Sequence, residues 1–151
     1  MLKEDINDKR KERHHITQED FTPPEICELL CEDNDELYSD FTKTFCDICS
    51  GTGNIFIYVL KKRLKYCKSE EDVYNALRTM YGTELMYDNV EESYKNILYN
   101  LMTETSEMGF DLNDKTILNI LRKNIVCTDT FKWDYENWKP MYESKQLELF
   151  E

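Results

Sequence analysis

Apolar residues recur along this chain at two spacings. Ile55, Val59 and Leu60 fall three, four or one apart, as do Val90, Tyr94, Ile97, Leu98 and Leu101, and again Ile117, Ile120 and Leu121. Side chains so spaced share one stripe of a helix. Helices are therefore predicted over about 55–64, 89–105 and 113–122. Start and stop signals add detail. Thr22-Pro23-Pro24-Glu25 reads as a helix start capped by Thr22, with Ile26, Leu29 and Leu30 as the inward face up to about Cys31. Ser69 with Asp72 caps a helix over about 70–79, Asp88 with Glu91 opens the long one, and Gly109 ends it. Lys61, Lys62 and Arg63 stand where cations suit a helix C-terminus. Three short apolar runs, Thr44–Cys49, Met80–Leu85 and Asn124–Cys127, read as strands. Ser50-Gly51-Thr52-Gly53-Asn54 is a tight turn, the stretch after Cys31 an acidic loop, and the stretch after residue 129 aromatic and irregular until Gln146.

Strands alternating with helices imply parallel pairing and right-handed crossovers. The expected fold is α/β: a partial Rossmann-like doubly wound sheet, three core parallel strands flanked by helices. A chain of 151 residues makes about one domain, and 40% hydrophobic residues suffice for one core. The boundaries read as a charged tail over 1–15, the folded domain over 16–135 and a C-terminal tail over 136–151. No apolar run is long enough to span a membrane, and the stretch Met1–Arg13 is too charged for a secretory signal, so a cytoplasmic location is expected.

Charge narrows the partners. The formal net charge is −12, opposite to the basic surface with which proteins answer nucleic acid. From Glu25 to the residue before Lys43 every charge is acidic, through Glu28, Glu32, Asp33, Asp35, Glu36 and Asp40. That run reads as a solvated acidic loop, or as a surface that repels or imitates DNA. Near the N-terminus Lys9, Arg10, Lys11 and Arg13 form a basic cluster, which nearby acids partly cancel. Cys27, Cys31, Cys46, Cys49, Cys67 and Cys127 lack the turn geometry of a zinc site and read as buried reduced thiols.

Ligands of such sheets bind beyond the carboxyl ends of the strands. Three strand ends carry chemistry. Asp47-Ile48-Cys49-Ser50-Gly51-Thr52-Gly53-Asn54 pairs an acid with glycines that let a ligand approach the backbone. Gly82-Thr83-Glu84 places a carboxylate for two ribose hydroxyls. Thr128-Asp129 offers an acceptor for an exocyclic amine. Together they describe a pocket for an adenosine bearing an amino-acid or sulfonium group.

Here the chain resembles the S-adenosylmethionine-dependent N6-adenine DNA methyltransferases. Asp47–Asn54 resembles their motif I. Gln18-Glu19-Asp20-Phe21-Thr22-Pro23-Pro24 resembles a motif upstream of it, Tyr81–Leu85 followed by Asp88-Asn89-Val90 resembles motif II, and Asn124–Asp129 resembles motif III. The resemblance covers about 14–135 and implies S-adenosylmethionine as cofactor. By resemblance, Phe21, Thr22 and Pro23 cover its methionine part. Asp47, with Cys49, Gly51, Gly53 and Asn54, holds the amino-acid end. Glu84 with Leu85 takes the ribose, and Asp129 with Thr130 takes the adenine.

The sequence departs from the family at the reaction itself. Its catalytic Asn/Asp/Ser-Pro-Pro-Tyr/Phe motif does not follow Asp129; the only later proline is Pro140, in Trp138-Lys139-Pro140-Met141-Tyr142. There is no room for a target-recognition domain. No fourth strand is present to pair with the first, so an open apolar edge is expected, covered by the C-terminal tail, by a second copy of the chain or by a separate subunit. At the C-terminus, Gln146-Leu147-Glu148-Leu149-Phe150 resembles the peptide by which bacterial proteins bind the replication sliding clamp; the other reading folds Leu147, Leu149 and Phe150 back onto the domain. Trp133, Tyr135 and Trp138 read as packing residues or as a base-stacking platform. The expected function is one half of a split adenine methyltransferase, from a phage or mobile element and tied to restriction-modification. The alternative is a catalytically inactive cofactor-binding protein acting through the clamp or a restriction enzyme, with DNA contacted only indirectly. A cofactor-degrading enzyme would need a general base that the sequence does not offer.

Overall fold

The computed structural model describes residues 22–31 and 35–141. Its elements are α1 (Pro24–Leu30), α2 (Asp35–Ser39), β1 (Phe45–Asp47), α3 (Asn54–Leu64), α4 (Glu70–Arg78), β2 (Met80–Glu84), α5 (Tyr87–Glu107), α6 (Asp114–Asn124) and β3 (Ile125–Cys127). A 3-10 turn (Thr130–Lys132) leads into β4 (Trp133–Asp134) and β5 (Lys139–Pro140). β1, β2 and β3 form one parallel sheet in that order, with Phe45 opposite Met80 and Gly82 opposite Ile125. The fold is mixed α/β, a three-stranded parallel sheet packed with helices, compatible with a Rossmann-like arrangement.

The expected crossover helices form for the local reasons the sequence suggests. Ser69 Oγ accepts the Asp72 N–H at 3.2 Å, and the Asp72 carboxylate takes the Lys68 N–H at 2.9 Å. Asn113 Oδ1 accepts the Thr116 N–H at 3.0 Å and starts α6. Gly109, at φ 80°, closes α5: its N–H bonds Ser106 O and the Phe110 N–H bonds Thr105 O, which satisfies two terminal carbonyls. The core is drawn from Phe56, Leu60, Leu77, Met80, Ile97, Leu101, Ile117 and Leu121, all essentially inaccessible.

The helices lie in one layer: α3 packs on α4 and α5, and α6 packs on both α4 and α5. Both crossovers therefore run over the same sheet face, onto which Met80 is directed. The alternation of strand side chains sends Tyr81 and Thr83 to the other face. There the β4–β5 hairpin supplies the cover. Trp138 packs against Tyr81, Trp133 and Tyr135, and the Tyr135 and Thr83 hydroxyls lie 3.1 Å apart. Among the described residues no helix covers that face, so the expected doubly wound arrangement is present only as its one-layer half.

Several local expectations change. In α1 the buried residue is Cys27, joined by Cys31 just past its end, while Ile26, Leu29 and Leu30 are exposed; the N-cap position is Pro23, with no side-chain cap from Thr22. The acidic stretch is not all loop, since Asp35–Ser39 is helical. β1 is shorter than expected and half-exposed, and it is a sheet edge with no strand beyond it among the described residues. Asp88 lies in the first turn of α5, whose N-cap is Met86. Asn124 ends α6 rather than starting β3; its amide donates to the carbonyls of Arg78 at 2.9 Å and Met80 at 3.0 Å. Arg63, in the last turn of α3 beside Lys61 and Lys62, is buried at 2% exposure. Cys27, Cys31 and Cys67 are buried thiols as expected, but Cys46, Cys49 and Cys127 are exposed. No described helix is long and apolar enough to cross a membrane.

Candidate functional site at the strand ends

The turn after β1 is the base of a cleft of roughly 260 Å3. Its walls are Thr22, Asp47, Cys49, Ser50, Gly51, Thr52, Asn54 and Ile55. Ser50 hooks this turn onto the central strand: its N–H bonds Thr83 O at 2.9 Å and its hydroxyl the same carbonyl at 3.3 Å. Gly82 makes room for this contact, since a Cβ there would stand 3.1 Å from the Ser50 side chain. Gly53, at φ 90°, turns the chain into α3. The first-turn amides of α3 have no carbonyl within the helix to bond, which makes its N-terminus attractive to an anion.

Glu84, at the tip of β2, joins the turn directly. Gly51 N–H donates to its Oε2 at 3.0 Å, Met86 N–H to its Oε1 at 2.8 Å, and Asn89 Nδ2 to Oε1 at 3.4 Å. Oε2 thus keeps an acceptor position, while the weakest bond at Oε1 is the one to Asn89. Asn54 Nδ2 donates to Thr22 O at 3.1 Å, so the residues before α1 are tied to the mouth of the cleft.

Asp47 is the cleft's half-buried acid. Its Oδ1 accepts the Cys49 N–H at 3.2 Å. Burial pushes its carboxyl above the ordinary carboxylate range, the Cys49 bond pulls it back in part, and the neighbouring Glu84 charge raises it. The native state therefore holds that proton more tightly than the unfolded chain does. Stability from this group is present at low pH and is lost as pH rises from the ordinary aspartate value through the raised one. Asp47→Asn keeps the acceptor and removes the charge. Urea unfolding should find the variant level with the native chain near about pH 3 and more stable near about pH 7. A variant less stable at neutral pH would refute the assignment of Asp47 as a strained acid.

Sequence-predicted residues divide into three groups. Thr22, Asp47, Cys49, Gly51 and Asn54 line one cleft, Glu84 reaches it through Gly51, and Gly53 packs beneath it against Ile97. Pro23 is exposed at the start of α1. Leu85 is 63% exposed just beyond β2. Asp129 and Thr130 stand apart from the cleft walls. The Thr128 N–H bonds Glu84 O at 2.8 Å, so their loop adjoins β2, but the Asp129 carboxylate caps its own turn through the Phe131 N–H at 3.0 Å and faces Lys132 at 3.4 Å. Thr130 shares a hydroxyl cluster with Thr83 and Tyr135. Phe21, Gln146, Leu147, Leu149 and Phe150 lie outside the described residues.

Sequence reasoning missed Ser50, Thr52 and Ile55 as cleft walls, and Ile48 and Phe131, which are exposed beside the strand tips at 54% and 86%. A signal existed for Phe131: a large apolar residue in a polar turn has no core to join. Among the described residues no cluster of three His, Cys, Asp or Glu could hold a metal. All six thiols have raised pKa values, chiefly through desolvation even where the side chain is partly exposed, Cys46 to about 11 and Cys67 to about 12. Comparison with protein-family models, with characterised proteins and with solved structures found no match to this chain.

Proposed function

We propose that the chain binds S-adenosylmethionine at the carboxyl ends of its three strands, as the cofactor-binding half of an adenine-specific DNA methyltransferase-like protein. The observation that carries this reading is the Glu84–Gly51 bond, which brings the acid of the second strand end onto the glycine turn of the first. In this reading Asp47 takes the ammonium, the amides at the start of α3 face the carboxylate, and Glu84 accepts a ribose hydroxyl at Oε2. The cleft is shallow and its roughly 260 Å3 includes open solvent, so in this reading it takes only the amino-acid end, and the rest of the cofactor lies outside it against Leu85 and Phe131. For Asp129 to accept an adenine amine, its carboxylate must turn from its own cap.

When bound, the cofactor supplies an electrophilic methyl group. The chain's own contribution is to neutralise the amino-acid end and orient the ribose; the family's Pro-Pro-Tyr/Phe segment, which would hold the target amine, is not in this sequence. Among the described residues the open edge of β1 and the helix-free second sheet face favour an enzyme completed by another subunit. Parallel sheets are ordinarily covered on both faces. The same bare edge and face also suit a second reading, a cofactor-binding protein that acts through a partner such as the sliding clamp or a restriction enzyme.

Calorimetric titration with S-adenosylmethionine tests the first claim. Micromolar to submillimolar binding is expected, lost in Asp47→Ala. No heat and no thermal stabilisation at about 1 mM ligand would overturn it. A methyl-transfer assay on adenine-containing DNA with the chain alone should give no product.

A further inference from the structure

The strand-end cleft carries negative charge that nothing around it cancels. Asp47 and Glu84 are half-buried there and near enough for their charges to act on each other. Four donors meet the two carboxylates: the N–H groups of Cys49, Gly51 and Met86, and the side-chain amide of Asn89. All four are neutral. Among the described residues no Lys or Arg pairs with either acid, and the cleft walls include no basic side chain. Lys132, on the turn after β3, faces Asp129 instead. The start of α3 adds only about half a positive charge.

Two thiols register the same field from either side of β2. Cys49, beyond β1, is raised first by desolvation and then by the charges of Asp47 and Glu84. Cys127, at the end of β3, is raised first by desolvation and then by Glu84 and Asp88. Neutral hydrogen bonds hold a carboxylate in place without removing its charge, and partial burial weakens the screening of that charge by water.

The ligand's own charges matter here. The amino-acid end of S-adenosylmethionine brings an ammonium and a carboxylate, which cancel. Its net charge is that of the sulfonium. The sulfur is joined covalently to both the amino-acid chain and the ribose. With the ammonium at Asp47 and the ribose at Glu84, the sulfonium therefore stands between the two acids. S-adenosylhomocysteine, the thioether left when the methyl group has gone, has nearly the same shape and no such charge.

Building on the cofactor reading above, we infer that Asp47 and Glu84 make the site selective for the sulfonium, which binds about tenfold more tightly than the thioether. An enzyme completed on this chain therefore releases its demethylated cofactor readily and resists inhibition by it.

Calorimetry on the full chain tests this with three ligands. They are S-adenosylmethionine, S-adenosylhomocysteine and sinefungin, which has an amine-bearing carbon in place of the methylsulfonium. At about 20 mM salt the two cationic ligands should bind about tenfold more tightly than the thioether, and at about 500 mM the ratio should fall to about three or less. Asp47→Asn and Glu84→Gln each keep an acceptor and remove a charge, so each should lower the ratio whatever it does to affinity itself. Equal or tighter binding of the thioether by the native chain would overturn the inference and leave the cofactor reading standing. No binding of any of the three would overturn both. A ratio unchanged by salt, or unchanged in both variants, would overturn the role given to the two acids.

Discussion

Replacing Glu84 with alanine is expected to weaken S-adenosylmethionine binding by about a hundredfold or more, the equivalent of roughly 2.7 kcal/mol. The effect has two parts. Glu84 is the ribose acceptor in the proposed reading, and hydrogen bonds to a charged group are each worth about 1.5–3 kcal/mol. It is also what holds Gly51 and Met86, so its loss frees the turn that lines the cleft. Glu84→Gln separates the parts: one oxygen remains to accept, but an NH2 now meets an N–H at Gly51 or Met86. Calorimetry should order the affinities native, Gln, Ala. If the alanine variant binds as tightly as the native chain, the ribose lies elsewhere and the cofactor reading fails with it.

The largest loss of stability is expected from Phe56→Ala. Phe56 is wholly buried on α3, and Phe45 of β1 meets it edge to face at 6.1 Å between ring centres. Truncating such a residue costs about 3–5 kcal/mol, because the cavity only partly collapses. For a chain of this size that lowers the melting temperature by roughly 10–15 °C. The midpoint of urea unfolding should fall with the slope unchanged. Because Phe45 precedes Asp47 on the same short strand, ligand affinity should fall too. A change below about 1 kcal/mol would mean that β1 is not anchored through this ring pair.

How much of this was legible in the sequence depended on how local the cause was. α5 and α6 were readable because long apolar stripes and caps such as Asn113 act within a turn or two. α1 misled because Ile26, Leu29 and Leu30 form the more apolar stripe, yet the face that packs on α3 is the one with Cys27 and Cys31. The burial of Arg63 was not legible because its acceptors come from the end of α4 and the approach to β1, which are remote in sequence. β4 and β5, two residues each, are too short to leave a periodic trace. At the candidate site the acids and glycines were visible as strand-end chemistry. The Glu84–Gly51 bond was not, since it depends on β1 and β2 pairing in register. Asp129 was read as an open acceptor because turn-forming aspartates bond their own backbone two residues on, a use that looks the same in sequence as a ligand contact.

The central place of β2 governs the order in which this protein can assemble during synthesis. β1 leaves the ribosome with no neighbour, because its pairing partners Met80–Gly82 follow only after two helices have been made, and β3 likewise waits for α5 and α6. Such distant pairings slow folding and leave strand edges bare meanwhile. α3, whose Phe56 is buried beside Phe45, is the first element able to shield the nascent strand. A ribosome stalled before β2 would hold α1 to α4 and an orphan strand, a natural client for a chaperone.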